Sequence, residues 1–150
     1  GVSILPDLDV IAFRLGIAYA DEFGHRGFSH SLLAAALVAS LGACLWRWYG
    51  CGFRRAWAVL FVAMASHGVL DAFTTGGQGI AFFWPWSDAR YFAPWQMIRV
   101  STLSLERFFG PRGLAVMQSE LRWVWLPFMS AACALLVRRH AWAWRRHRQA

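Results

Sequence analysis

From Gly27 to Trp46 the chain reads GFSHSLLAAALVASLGACLW, 20 residues without Asp, Glu, Lys or Arg. Wound as a helix this is about 30 Å, the depth of a bilayer's hydrocarbon core. An uncharged run of that length needs either a large core or lipid, and 150 residues leave room for about one domain. Composition decides for lipid. The chain is 58% apolar and 15% charged, against roughly 45 to 50% and about 25% in soluble domains. The reading is therefore an all-α protein, a single integral-membrane domain over residues 1–150, and intrinsic disorder is excluded.

Two further apolar stretches qualify as spans, Ala56 to Phe73 and Trp123 to Val137, the latter with an amphipathic lead-in from Gly113 and a kink expected at Pro127. The opening GVSIL reads as the tail of another apolar segment. Because the chain starts without methionine and shows no basic leader or cleavage site, N-terminal truncation is expected and a signal peptide is not. The expected architecture is a polytopic helical bundle of about three spans plus the remnant of an N-terminal one. All 15 basic side chains are arginine and the net charge is +7. Arg47, Arg54 and Arg55 fill the link between the first two spans, and Arg138, Arg139, Arg145, Arg146 and Arg148 follow the third. By the positive-inside rule those ends face the cytoplasm, while residues 1–26 and the loop from Thr74 to Arg122 face outward. This accounts for the basic balance without nucleic-acid binding. Cys44, Cys51 and Cys133 form no C-x-x-C pair, so neither a disulfide framework nor a thiolate zinc site is expected.

The outer loop far exceeds the usual length of about 4 to 6 residues. Its first half, GIAFFWPWSDARYFAPW, is rich in Phe, Trp and Tyr, which suits the headgroup zone. A short amphipathic helix is expected around Ser101 to Phe109, followed by a turn at FGPRG.

Against this apolar background a few polar residues stand out. His67 and Asp71, four apart, share one helical face, and an acid deep in a span costs roughly 2.5 to 3.5 kcal/mol. His25 and His30 bracket HRGFSH at the outer end of the first span. On one continuous helix they would diverge by about 140°, so Gly27 is expected to break the helix, turning His25 back and leaving His30 in the first turn. Counted from the cytoplasmic arginines, His30, His67 and Asp71 lie about 24, 18 and 24 Å up their helices. Asp7 and Asp9, in PDLD, lie on the same side; a turn or helix start explains them, and so does presentation of two carboxylates to a cation. Three aspartates and three histidines exceed one tetrahedral zinc site and suffice for two metals. Mixed nitrogen and oxygen donors suit zinc first, with manganese or iron behind it.

These motifs, Pro6-Asp7-x-Asp9, His25-Arg26-Gly27-Phe28-Ser29-His30-Ser31, Ser66-His67-x-x-x-Asp71 with Thr74 and Gly76 or Gly77 after it, and Pro85-x-Ser87-x-x-Arg90-Tyr91, resemble those of the YdjM-like inner-membrane metal-dependent hydrolases. The resemblance covers residues 6–91. It implies a multi-pass protein of the bacterial inner membrane, with Asp7, Asp9, His25, His30, His67 and Asp71 as metal-binding and catalytic residues. Tyr91 enters the expected substrate side with its motif.

A divalent ion there would lower the pKa of bound water to about 7. At headgroup depth on the outer, periplasmic face the expected substrate is a phosphoester of a membrane lipid or lipid-linked molecule. Arg26, Ser87 and Arg90 are candidates to hold its phosphate; an interfacial arginine beside Trp86 and Tyr91 is the other reading of Arg90. Neither H-E-x-x-H nor Gly-x-Ser-x-Gly occurs, which leaves zincin and serine-hydrolase chemistry unsupported. Lipid phosphatases with a histidine nucleophile need an arginine where Phe61 stands. The rival reading is a non-catalytic membrane protein whose metal site is structural or serves transport. The oligomeric state is left open.

Overall fold

A computed structural model describes residues 2–100 and 109–147. The chain divides into two compact units, Gly1–Gln96 and Met97–Ala150. Among the described residues it is helical and has no strand, and Ile80 and Tyr91 form an isolated antiparallel bridge.

In the first unit a 3-10 segment, Val2–Val10, leads into a short helix, α1 (Ile11–Arg14). A second 3-10 turn, Phe28–His30, precedes α2 (Leu32–Ala43), and α3 follows over Phe53–Ala72. The uncharged run from Gly27 to Trp46 thus contains a helix of only 12 residues. Ser31 ends the 3-10 turn and starts the helix: its backbone is extended and its hydroxyl accepts the Ala34 N–H at 3.0 Å, as an N-cap does. His30 therefore sits just ahead of the cap, outside the first helical turn where it was expected.

The two helices run antiparallel. His30 approaches Gly68 near the C-terminal end of α3, and Ser40 accepts the Trp57 Nε1–H near its start. Small side chains make the seam: Ala34, Ala35, Ala39 and Ala43 are buried on α2, and Ala56, Gly68 and Ala72 on α3. Such residues let helix backbones close on one another by van der Waals packing. Met64 fills the middle, against Ala34 and Ala35, with Val2, Val38, Phe61 and Ala65 around it.

The aromatic segment after α3 folds back on the chain. Ile80 and Tyr91 exchange backbone hydrogen bonds at 2.9 and 3.0 Å, Phe82 O accepts from Leu32 N, and Arg26 O accepts from Ala81 N. Trp84 donates its Nε1–H to Glu22 at 3.2 Å. Phe83, Trp86, Tyr91, Phe92 and Trp95 stay exposed.

In the second unit Pro111 occupies the first turn of α4 (Pro111–Glu120), where its missing N–H costs nothing. A π-helical turn, Leu121–Trp125, joins it to α5 (Leu126–His147). The expected lead-in from Gly113 is thus one continuous helix with the apolar stretch. The π-turn, in which Leu126 N–H bonds Leu121 O, ends two residues before Pro127, which lies in α5 and has no N–H to give to the carbonyl four residues back. Residues Pro111–Trp142 form the one described helix long and apolar enough to cross a membrane. α3 has the length, at 20 residues, but carries Arg54, Arg55 and Asp71. The helix expected at Ser101 to Phe109 falls outside the described residues except for Phe109.

Candidate metal centre

Three separate pieces of chain meet at the C-terminal end of α3: the first 3-10 segment brings Asp7 and Asp9, the loop and turn before α2 bring His25, Arg26, Ser29 and His30, and α3 brings His67 and Asp71. Two close approaches make this possible. Gly27 lies so near the Glu22 carbonyl that a Cβ there would collide with it, and a Cβ on Gly68 would stand 3.1 Å from the His30 carbonyl oxygen. Gly27 interrupts the helix as expected, standing just ahead of the 3-10 turn with φ −83° and ψ −132°. Arg26 holds a left-handed conformation, φ 66°, uncommon for a residue with a side chain.

At the centre stands His30, whose side chain is fully buried. Its Nε2 lies 3.4 Å from Asp71 Oδ2 and 3.9 Å from Asp7 Oδ1. His67 Nε2 reaches the same two oxygens, at 3.2 Å from Asp7 and 3.7 Å from Asp71. The donor atoms of Asp7, His30, His67 and Asp71 all fall within 4.8 Å of one another. His30 Nε2 is buried without a hydrogen-bond partner, a costly condition for a polar atom unless something binds it. Two imidazoles and two carboxylates around such an atom fit a divalent cation.

Behind His30 lies Asp9, its side chain 3% exposed. Asp9 Oδ1 is 2.6 Å from His25 Nδ1. Its Oδ2 accepts the Ser29 hydroxyl at 2.6 Å and the Arg26 N–H at 3.1 Å, and stands 3.2 Å from His30 Nδ1. Asp9, His25 and His30 also satisfy the 4.8 Å condition as a trio. Burial by itself would raise the Asp9 carboxyl; hydrogen bonds from His25, His30 and Ser29 outweigh it and hold the group well below the ordinary carboxylate range. Asp7 is held below its usual value by its hydrogen bond with His67, against partial burial.

All six residues expected as ligands are thus brought together. The expected substrate side is arranged differently. Arg26 is 2% exposed, and its guanidinium turns inward: Nε pairs with Asp71 Oδ2 at 3.3 Å, and the terminal nitrogens donate to Gly76 O at 2.6 Å and Thr74 Oγ1 at 2.9 Å. Arg90 donates to the carbonyls of Ala20, Asp21 and His25 at 2.9 to 3.3 Å, clamping the loop that carries His25. Ser87 accepts from Ala89 N within its own turn, and Tyr91 packs edge-on against Phe83. Thr74 closes the end of α3, its hydroxyl donating to Asp71 O at 2.7 Å.

Two participants were not singled out by sequence. Ser29 hydrogen-bonds Asp9, and its place inside HRGFSH was the available signal. Tyr19 sets its ring edge-on to His25, centroids 5.3 Å apart, and burial raises its phenol against the nearby charge of Arg26. No pattern in the sequence marks that tyrosine.

The chain matches the model of the YdjM inner membrane protein family over residues 1–145. It is similar to the inner membrane protein YbcI of Escherichia coli (strain K12), 50% identical over 131 residues that cover 85% of this chain and 75% of that protein. No solved structure matches.

Proposed function

We propose that this chain, which belongs to the YdjM inner membrane protein family, is a metal-dependent hydrolase that cleaves a phosphoester of a lipid or lipid-linked substrate at the outer face of the bacterial inner membrane. The observation that carries this reading is the buried Nε2 of His30, which makes no hydrogen bond and faces Asp7, His67 and Asp71. These four would hold a divalent ion, zinc before manganese or iron. When bound, such an ion supplies an activated water at neutral pH and polarises the phosphoryl oxygen.

The chain's own groups divide the remaining work. Asp7, with its side chain 46% exposed, is the donor open to solvent, and its hydrogen bond with His67 keeps it ionised, as a metal ligand must be. Arg26 offsets the charge of Asp71 from inside. Arg90 shapes the rim by holding the His25 loop. Phosphoesters are favoured as substrate by the expected depth of the site. His67 and Asp71 lie about 20 to 25 Å along α3 from Arg54, which the positive-inside rule puts in the cytoplasm. In this reading the membrane is also crossed by the segments containing α2 and α3, as well as by Pro111–Trp142.

Hydrolysis of phospholipids and lipid diphosphates by detergent-purified protein, chelator-stripped and then supplied with zinc or manganese, tests the proposal. Metal-dependent release of phosphate or headgroup, lost in His67→Ala, is expected. No turnover on either class with a loaded site would overturn it. A second reading has one observation in its favour: four protein donors converge, as in closed structural sites. It predicts a folded protein that holds its metal and turns over nothing.

A further inference from the structure

We infer that Asp9 is a positioning residue and not a metal ligand, and that the centre holds one divalent ion. This rests on the metal reading above and goes beyond it in ion count and in the part played by Asp9 and His25.

The two faces of His30 differ. Its Nε2 has no hydrogen-bond partner and opens toward Asp7, His67 and Asp71. Its Nδ1 lies 3.2 Å from Asp9 Oδ2 and 3.0 Å from Ser29 Oγ. An ionised carboxylate only accepts, so the proton belongs on Nδ1 and the lone pair on Nε2. A histidine that ligates a metal commonly gives its other N–H to such a carboxylate, which fixes the tautomer and the ring plane.

Asp9 is also fully engaged. Its two oxygens already serve His25, Ser29, His30 and the Arg26 N–H. A second ion among Asp9, His25 and His30 would have to displace these contacts, stranding a buried backbone N–H, and would make one imidazole bridge two cations. Charge points the same way. Asp7, Asp9 and Asp71 against Arg26 leave two negative charges with the histidines neutral, which a single divalent ion balances; a second would leave an uncompensated surplus in a buried place. His25, on the far oxygen of Asp9 and edge-on to His30 with centroids 5.5 Å apart, belongs to the same supporting layer.

Titration of the full chain in detergent with Co2+ alone, followed by its visible absorption, tests the assignment without reference to activity. Wild type is expected to take up one equivalent. Asp9→Asn should still take up one, with the same band positions and intensities and an affinity about 10 to 100-fold weaker, the usual cost of losing such a partner. His25→Gln should behave likewise and carries the test if Asp9→Asn does not fold. Two equivalents in wild type with one lost in either variant, or a changed absorption envelope, would overturn the assignment while leaving the metal reading intact. A wild type that binds no cobalt would overturn both.

Discussion

Arg26 Nε lies 3.3 Å from Asp71 Oδ2, the oxygen that also faces His30 and His67. One guanidinium, from a residue in a left-handed backbone conformation, therefore steadies a carboxylate that two imidazoles share, and it ties that carboxylate to the chain after α3 through Thr74 and Gly76.

Replacing this arginine should cost both stability and metal. Arg26→Met removes one partner of a buried ion pair and strands the groups it served, a loss of about 3 kcal/mol. Thermal unfolding in detergent should show a clearly lowered midpoint, and chelator competition a weakened metal affinity. A midpoint equal to wild type would mean that the pair contributes nothing.

Gly68 offers a test in which helix propensity and site geometry oppose each other. Gly68→Ala gains about 0.5 to 1 kcal/mol of helix propensity, but the new methyl meets the His30 carbonyl at 3.1 Å. Metal affinity should fall even where thermal stability holds or rises. An affinity equal to wild type would show that the His30 turn yields without disturbing its ring.

Ser31 caps α2 by accepting the Ala34 N–H, and Ser31→Ala should cost about 1 kcal/mol. Because the cap adjoins His30, loss of metal affinity should accompany the lowered midpoint. An unchanged midpoint in thermal unfolding would argue that the turn is held by the Leu32 to Phe82 backbone bond instead.

Acid sensitivity follows from Asp9. Its hydrogen bonds hold the folded carboxyl well below the ordinary carboxylate range, so folding favours the ionised form. That stabilisation is complete above the unfolded value and declines as pH falls through about 4 toward the folded one. Metal-free protein should lose stability over this range, and Asp9→Asn should flatten that limb of the curve. An equal acid slope in both would assign the sensitivity elsewhere.

Much of the centre was legible because its residues are expensive where they stand. A histidine and an aspartate one turn apart in an apolar helix announce themselves, and topology alone put His30 at their level. Less visible was anything that depends on one loop meeting another. His25 and Asp9 are sixteen residues apart, and their contact depends on the chain passing close to Glu22 at Gly27. Arg26 was read as a phosphate-holding residue because a guanidinium offers paired donors to such a group. Its inward turn needs a positive φ that no residue pattern signals. Helix lengths were misjudged for a related reason: hydropathy continues through Gly27 to Trp46, but the Ser31 cap starts α2 only at Leu32. The aromatic loop looked like a lipid anchor by composition, and its backbone bonds to Arg26 and Leu32 were beyond reach of a composition count.

The central claim is that His30, His67, Asp7 and Asp71 hold a divalent cation. Elemental mass spectrometry of detergent-purified protein, beside His67→Ala prepared in the same way, tests it most directly. The account predicts one equivalent of a divalent metal in wild type and almost none in the variant, with both proteins folded. A wild type that stays empty after titration with zinc and manganese, or a variant that keeps its full equivalent, would contradict it.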